Sequence, residues 1–176
     1  MEITVTPESN GMRIVITDVS VFFDLYKLQV LSEFFNLDWE IHTTNFVYNE
    51  ILREEQVVDF ESFVRDEKLN IIKINVEEET EIRKMQLQRP NKSFPDKTVL
   101  WKAKKEKCTL LTCDKVLRTE ASYHKIEVHG TAWIILQFVE NGIINNIKGV
   151  ELLEQLLKDN VRQPVEQIKR MIDSLI

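Results

Sequence analysis

Short apolar runs alternate along this chain with stretches whose apolar residues recur every three or four positions. MRIVIT (12–17) is continuously apolar and β-branched, which predicts a strand buried on both faces. Val21 to Phe35 has helical spacing and predicts the first helix. Trp39, Ile41 and their neighbours make a short second strand, after which Thr43 or Thr44 caps a helix through Phe46, Val47, Ile51 and Leu52. VVDFESFVRDEK continues as another helix, NIIKINV (70–76) as a strand, and EEETEIRKMQLQ as a helix whose acidic first turn suits the helix dipole. RPNKSFP (89–95) is a loop broken by Pro90 and Pro95, and Asp96 opens the next helix through Val99, Leu100 and Ala103. A strand at 108–112, the helix DKVLRTEA and the short strand KIEVH follow. Gly130 then begins the apolar helix TAWIILQFVE, stopped by Asn141-Gly142. NNIKGVELLEQLLKDN and PVEQIKRMIDSLI close the chain as two amphipathic helices.

Strands alternating with helices imply βαβ units. The expected fold is therefore α/β, a three-layer α/β/α sandwich with a central, mostly parallel sheet and a helical C-terminal extension. Without repeats or a linker, residues 1–176 read as one domain, with a core over about 12–145 and the C-terminal helices over about 146–176.

Composition narrows the function. A chain of 176 residues can bury roughly 70% of its unfolded surface, enough for one good core. Four glycines and four prolines leave little turn chemistry, so helices should dominate over hairpins. The polar start MEITVTPESNGMR carries no signal-peptide pattern, and no apolar run approaches a bilayer span. Cys108 and Cys113, five residues apart on a strand, should point to opposite faces, which argues against a disulfide and for a reducing cytoplasm. The net charge of −6 argues against broad non-specific binding to nucleic acid. One local exception is Lys97, Lys102, Lys104, Lys105 and Lys107, preceded by Arg89 and Lys92, which reads either as a solvated helix face or as a phosphate-contacting rim beside Asp96.

The chemistry is that of carboxylates. His42, His124 and His129 sit in no metal-protease or zinc spacing, Ser20 and Ser93 in no nucleophile elbow, and no glycine-rich phosphate loop is present. Asp18 and Asp114 each close a short apolar run, in RIVITD and TLLTCD, where open α/β sheets place their ligands. Asp96 follows a proline at a helix start, and Glu50 lies in a helix whose other face is Phe46, Val47 and Ile51. Carboxylates converging there would repel one another unless a cation intervened. Magnesium or manganese suits such hard oxygen ligands, and can activate a water for attack on a phosphodiester.

Four segments resemble the PIN domain, a family of small metal-dependent ribonucleases, and most closely its prokaryotic branch of toxins and their solitary relatives. IVITDVSVFFDL resembles the first motif, with Asp18 and Ser20; TTNFVYNEIL the second, with Glu50. SFPDKTVLWKAKKEKCTLLTCDKVLRTEA resembles the third and fourth, with Asp96 and Asp114, and KIEVHGTAWIILQFVENGII the C-terminal stretch. The match covers most of residues 12–150; it departs from the family at Cys113 and in the charged excursion over 76–95. The resemblance implies Asp18, Glu50, Asp96 and Asp114 as catalytic, metal-binding acids for Mg2+ or Mn2+. It implies Ser20 and Thr112 as hydroxyls that orient them, and RNA as the substrate. Lys97 and Arg118 are the candidates for holding the RNA backbone. An antitoxin partner, a homodimer, a cytoplasmic location and no membrane contact complete the expectation. Two rivals stand beside it. One is a silent PIN-like module that binds RNA or protein. The other is a receiver-like phospho-acceptor, which NIIKINV disfavours by ending without an Asp.

Overall fold

A computed structural model describes residues 8–9, 12–52, 60–159 and 164–176. Its sheet is built from β2 (Met12–Thr17), β3 (Trp39–Thr44), β4 (Asn70–Ile72), β5 (Thr109–Leu111) and β6 (Val128–His129) in the spatial order β4-β3-β2-β5-β6. All of these neighbours pair in parallel. The two-residue β1 (Glu8–Ser9) adds an antiparallel partner to β2, with Ser9 opposite Met12.

Helices α1 (Val19–Lys27), α2 (Leu31–Phe34), α3 (Asn45–Ile51), α4 (Phe60–Arg65), α5 (Val76–Gln88), α6 (Phe94–Glu106), α7 (Lys115–Tyr123), α8 (Thr131–Glu140), α9 (Asn146–Asp159) and α10 (Val165–Leu175) complete the described elements. Alternation along the strands divides the core into layers. Val15, Ile41 and Leu111 face one side, where they meet Phe22 and Leu25 of α1, Ile134 and Phe138 of α8, Leu153 of α9 and Ile168 of α10. Ile14, Ile16 and Leu110 face the other, against Val47 of α3, Val99 and Leu100 of α6 and Leu117 of α7. Cys113 belongs to the first layer and Cys108 to the second, as their odd spacing requires, and neither is in a disulfide. The two C-terminal helices therefore contribute to the main core. Among the described residues no helix is long and apolar enough to cross a membrane.

The element boundaries differ from expectation for local reasons. The helix expected over 21–35 breaks into α1 and α2 at Gln29, whose φ of 57° is left-handed. Around it the Gln29 N–H donates to the Tyr26 carbonyl and the Val30 N–H to the Leu25 carbonyl, a full Schellman cap. The strand expected over 70–76 ends at Ile72, because Asn75 caps α5 in a reciprocal box with Glu78. Helix α6 starts at Phe94, two residues before Asp96, with Ser93 as its cap. Of the segment 57–68 expected as one helix, 57–59 lies outside the described residues, Phe60–Arg65 forms α4, and the helix ends before Glu67, whose φ of 58° is left-handed.

At the β5–β6 edge Glu127 accepts from Thr109 Oγ1 at 3.0 Å, pairs with Arg13 at 3.3 Å and meets His129 Nε2 at 2.8 Å. The His129 hydrogen bond, aided by Thr109 and Arg13, overcomes burial and holds this carboxyl at about 2 against an ordinary 4.5. A carboxyl with a depressed folded pKa stabilises the fold above its unfolded value, and that contribution is lost as pH falls through the folded value. Over pH 4.5 down to about 2, the melting temperature should therefore fall more steeply in the parent than in Glu127→Gln. Parallel melting curves for the two proteins across this window would contradict the network.

Candidate active site

A parallel sheet brings the carboxyl ends of its strands to one edge, and Asp18 and Asp114 follow β2 and β5 there. Each is also the N-cap of the helix that leaves the strand: Asp18 accepts from the Val19 N–H at 2.8 Å and Asp114 from the Leu117 N–H at 2.8 Å. The strand thus delivers the carboxylate and the helix N-terminus favours its charge. The two connections are locked together where the Asp18 N–H donates to the Leu111 carbonyl at 2.9 Å.

Two hydroxyls fix Asp18. Ser20 Oγ and Thr112 Oγ1 each donate to Asp18 Oδ2 at 2.8 Å. Each hydroxyl in turn accepts a backbone N–H from the β5–α7 connection, Ser20 from Cys113 at 3.0 Å and Thr112 from Asp114 at 3.1 Å. The single O–H of each hydroxyl is thus committed to Asp18, which makes both of them orienting groups at this carboxylate.

Asp18 is 1% exposed, and burial first, then the like charge of Asp96, push its carboxyl above the ordinary 3.8 against the pull of Ser20, Thr112 and Val19. For a raised carboxyl the stabilising contribution is present at low pH and fades as pH rises, so ionised Asp18 costs the fold free energy. Asp114 behaves oppositely. Burial opposes its ionisation, but the ammonium of Lys92 and the N–H groups of Leu117 and Val116 outweigh it and hold the carboxyl below its usual value.

These acids face a cleft of about 540 Å³ whose lining includes Asp18, Asp96 and Asp114 together with Asp24, Lys27 and Asp159. Asp24 and Asp159 were not legible as site residues, although Asp24 lies one turn after Ser20 on α1 and so on the same helix face. Asp24 Oδ2 accepts from Thr131 Oγ1 at 3.0 Å, and Thr131 also contacts Cys113 Sγ at 3.0 Å.

The acids do have a positive partner: Lys92 Nζ lies 2.6 Å from Asp114 Oδ2 and 3.9 Å from Asp96 Oδ2. With that ammonium between them, and Asp96 turned back onto Ser93, no three His, Cys, Asp or Glu side chains among the described residues converge tightly enough to hold a metal as they stand. Lys97 does not reach a surface phosphate. It is fully buried, with Nζ 2.6 and 2.7 Å from the Glu120 carboxylate oxygens and 2.9 Å from Asn91 Oδ1. Arg118 lies in a separate crevice beside His129, Gly130, Trp133 and α10. Glu50, half-buried on α3, is not among the residues lining the acidic cleft.

The donor set nevertheless fits a hard divalent cation in kind. It consists of carboxylate oxygens, and Asp96 already disfavours ionisation of Asp18, a conflict that a shared cation relieves.

Comparison with known proteins gives the family and the fold. A family model described as DUF3368, PIN domain, matches residues 14–175. The chain is similar in fold to a PilT N-terminus domain protein, SSO1118, from the hyperthermophilic archaeon Sulfolobus solfataricus P2, at 13% identity and a TM-score of 0.53 over 72% of this chain and 94% of that one. It is likewise similar to PAE2754 from Pyrobaculum aerophilum, at 13% identity and a TM-score of 0.52 over 74% and 92% of the two chains. No curated protein matches it.

Proposed function

From the premise that the chain belongs to the PIN-domain family, whose members are generally nucleases, we propose that it is a divalent-metal-dependent endoribonuclease. The observation that carries this reading is the joining of Asp18 and Asp114 at adjacent strand ends, with Asp96 near enough to perturb Asp18. Asp18, Asp96 and Asp114 would hold Mg2+ or Mn2+, and such a cation supplies an activated water and neutralises charge on the phosphate. Ser20, Thr112 and the Val19 N–H keep Asp18 in one orientation, as partners of ligating carboxylates do. Lys92 and Lys27 are cations at the cleft that can pair with a phosphate once Asp114 is otherwise engaged. No protein nucleophile is required, in keeping with the commitment of both hydroxyl protons to Asp18. The toxin role, the antitoxin partner and the homodimer implied by the family resemblance belong to this proposal as finer parts.

The test is incubation of structured and unstructured RNA with manganese, magnesium or EDTA, beside an Asp114→Asn control. Cleavage with manganese or magnesium that EDTA stops, and that the control lacks, is the expected result. A second reading, a silent RNA- or protein-binding module, is favoured by one observation, the Lys92–Asp114 ion pair. Purified protein inert with either metal would select it.

A further inference from the structure

The excursion over 76–95 lies outside the family motifs, yet with α6 and the end of α7 it builds a second concavity of about 690 Å³. Its walls carry Lys84 and Arg89 from one side and Lys104 and Lys105 from the other. Glu81 is the single acid among the described residues lining it. For a chain of net charge −6 this is a pronounced local reversal of sign. Aromatic rings alternate with these cations. The Arg89 guanidinium lies 3.8 Å from the centroid of Tyr123, and Lys105 Nζ lies 4.4 Å from that of Trp101. Tyr123 is 64% exposed, so most of its ring faces solvent. Deeper in, His124 Nε2 is buried without a hydrogen-bond partner. Burial, then Lys104, keep this imidazole below its ordinary pKa, a further sign of positive potential.

Cations around the exposed Tyr123 ring match the chemistry of a single-stranded nucleic acid, whose phosphates take the ammonium groups and whose bases stack on aromatic or guanidinium planes. The position is apt as well. Asp114 and Tyr123 lie at opposite ends of α7, nine residues and so about 14 Å apart. At about 3.4 Å per phosphate along a stacked strand, three to four nucleotides span that distance. An acidic or duplex ligand would use the cations but leave the rings idle.

We infer that the cleft between α5, α6 and the end of α7 is a docking site for single-stranded RNA, one base stacking on the Arg89–Tyr123 pair and neighbouring phosphates pairing with Lys84, Lys104 and Lys105. The inference rests on the ribonuclease reading for its substrate, but binding tests it without cleavage. Fluorescence anisotropy of a short labelled oligouridylate, in EDTA and over a series of salt concentrations, reads affinity and its salt slope. Tyr123→Ala should weaken binding about tenfold, the loss of one stacked base. Lys104→Gln with Lys105→Gln should weaken it and lower the log–log salt slope by about 1.4, or 0.7 per lost phosphate contact. Lys148→Gln, on distant α9, should bind as the parent does. Circular dichroism confirms that each variant is folded, and the lysine pair, at the surface of α6, carries the test if Tyr123→Ala does not fold. Parent-like affinity and slope in the folded variants, no binding by the parent, or equal binding of duplex that ignores Tyr123→Ala would each overturn the inference. Tyr123-dependent binding without metal-dependent cleavage would retain the docking site and remove the nuclease. Cleavage with binding insensitive to Tyr123, Lys104 and Lys105 would do the reverse.

Discussion

Asp18→Asn is expected to reduce metal-dependent RNA cleavage by more than about a hundredfold, beyond the 10–100-fold loss typical of outer-shell partners, while the protein stays folded. The side chain keeps its shape but gives up the charge that would bind the cation. It also swaps an acceptor for a donor at a carboxylate that receives three hydrogen bonds, from Val19, Ser20 and Thr112. Two bonds are lost if the amide nitrogen takes the Oδ2 place and one if it takes Oδ1, so the amide oxygen should face Ser20 and Thr112, at a cost of about 1 kcal/mol for the Val19 bond. Against this, the substitution removes a buried charge that burial and Asp96 both disfavour. The two effects oppose each other, so the melting temperature should move by only a few degrees, at about 2–4 °C per kcal/mol for a chain of this size. Asp114→Asn should behave alike, since Asn caps a helix as well as Asp does and can still accept from Leu117. Initial cleavage rates with manganese, beside thermal melts, check both. An Asp18→Asn protein that cuts at the parental rate would remove Asp18 from the site.

The largest expected effect on stability lies one step away, at Lys97–Glu120. Both side chains are buried, 0% and 1% exposed, and the ammonium is shared among two carboxylate oxygens and Asn91. Removing one partner strands the other charge in a dry interior, which costs about 3–5 kcal/mol. Lys97→Ala and Glu120→Ala should therefore each lower the melting temperature by roughly 6–20 °C. Replacing both together, Lys97→Met with Glu120→Leu, should recover most of the loss, because the desolvation penalty disappears with the pair. A double variant no more stable than the singles would show that the pair does more than neutralise itself. Asn91 is one residue from Lys92, so the same bond anchors the loop that carries the ammonium facing Asp114.

The layered fold was legible because Val15, Leu111 and Ile41 alternate with Ile14, Ile16 and Leu110 on short strands, a pattern that periodicity reads directly. Helix ends were not. Gln29, Glu67, Lys107 and Lys125 take the left-handed conformation that usually announces itself as glycine, and only Gly142 gave the visible signal. Strained caps of this kind cost about 1–2 kcal/mol each and leave no trace in composition. Within the site, Asp18 and Asp114 could be read because strand ends are readable. Lys92 could not be, since its reach to Asp114 depends on how Gln86 and Asn91 fasten a loop between two helices. Lys97 misled because a lysine in a basic run carries no mark of burial when its partner is 23 residues away. Glu50 was a motif match whose helix lies apart from the acidic lining.

The Ser20–Asp18–Thr112 bridge joins residues 92 and 94 positions apart, across the insertion of β5 between β2 and β6. During synthesis, β2, β3 and β4 leave the ribosome before β5, so the chain can order half its sheet while its acids are still apart. Asp18 gains its Thr112 partner, and the Cys113 and Asp114 amides gain theirs, only when β5 slots in. A chain truncated before Thr109 would keep Asp18 and Asp96 but lack both Thr112 and Asp114, so the cleft could not be completed.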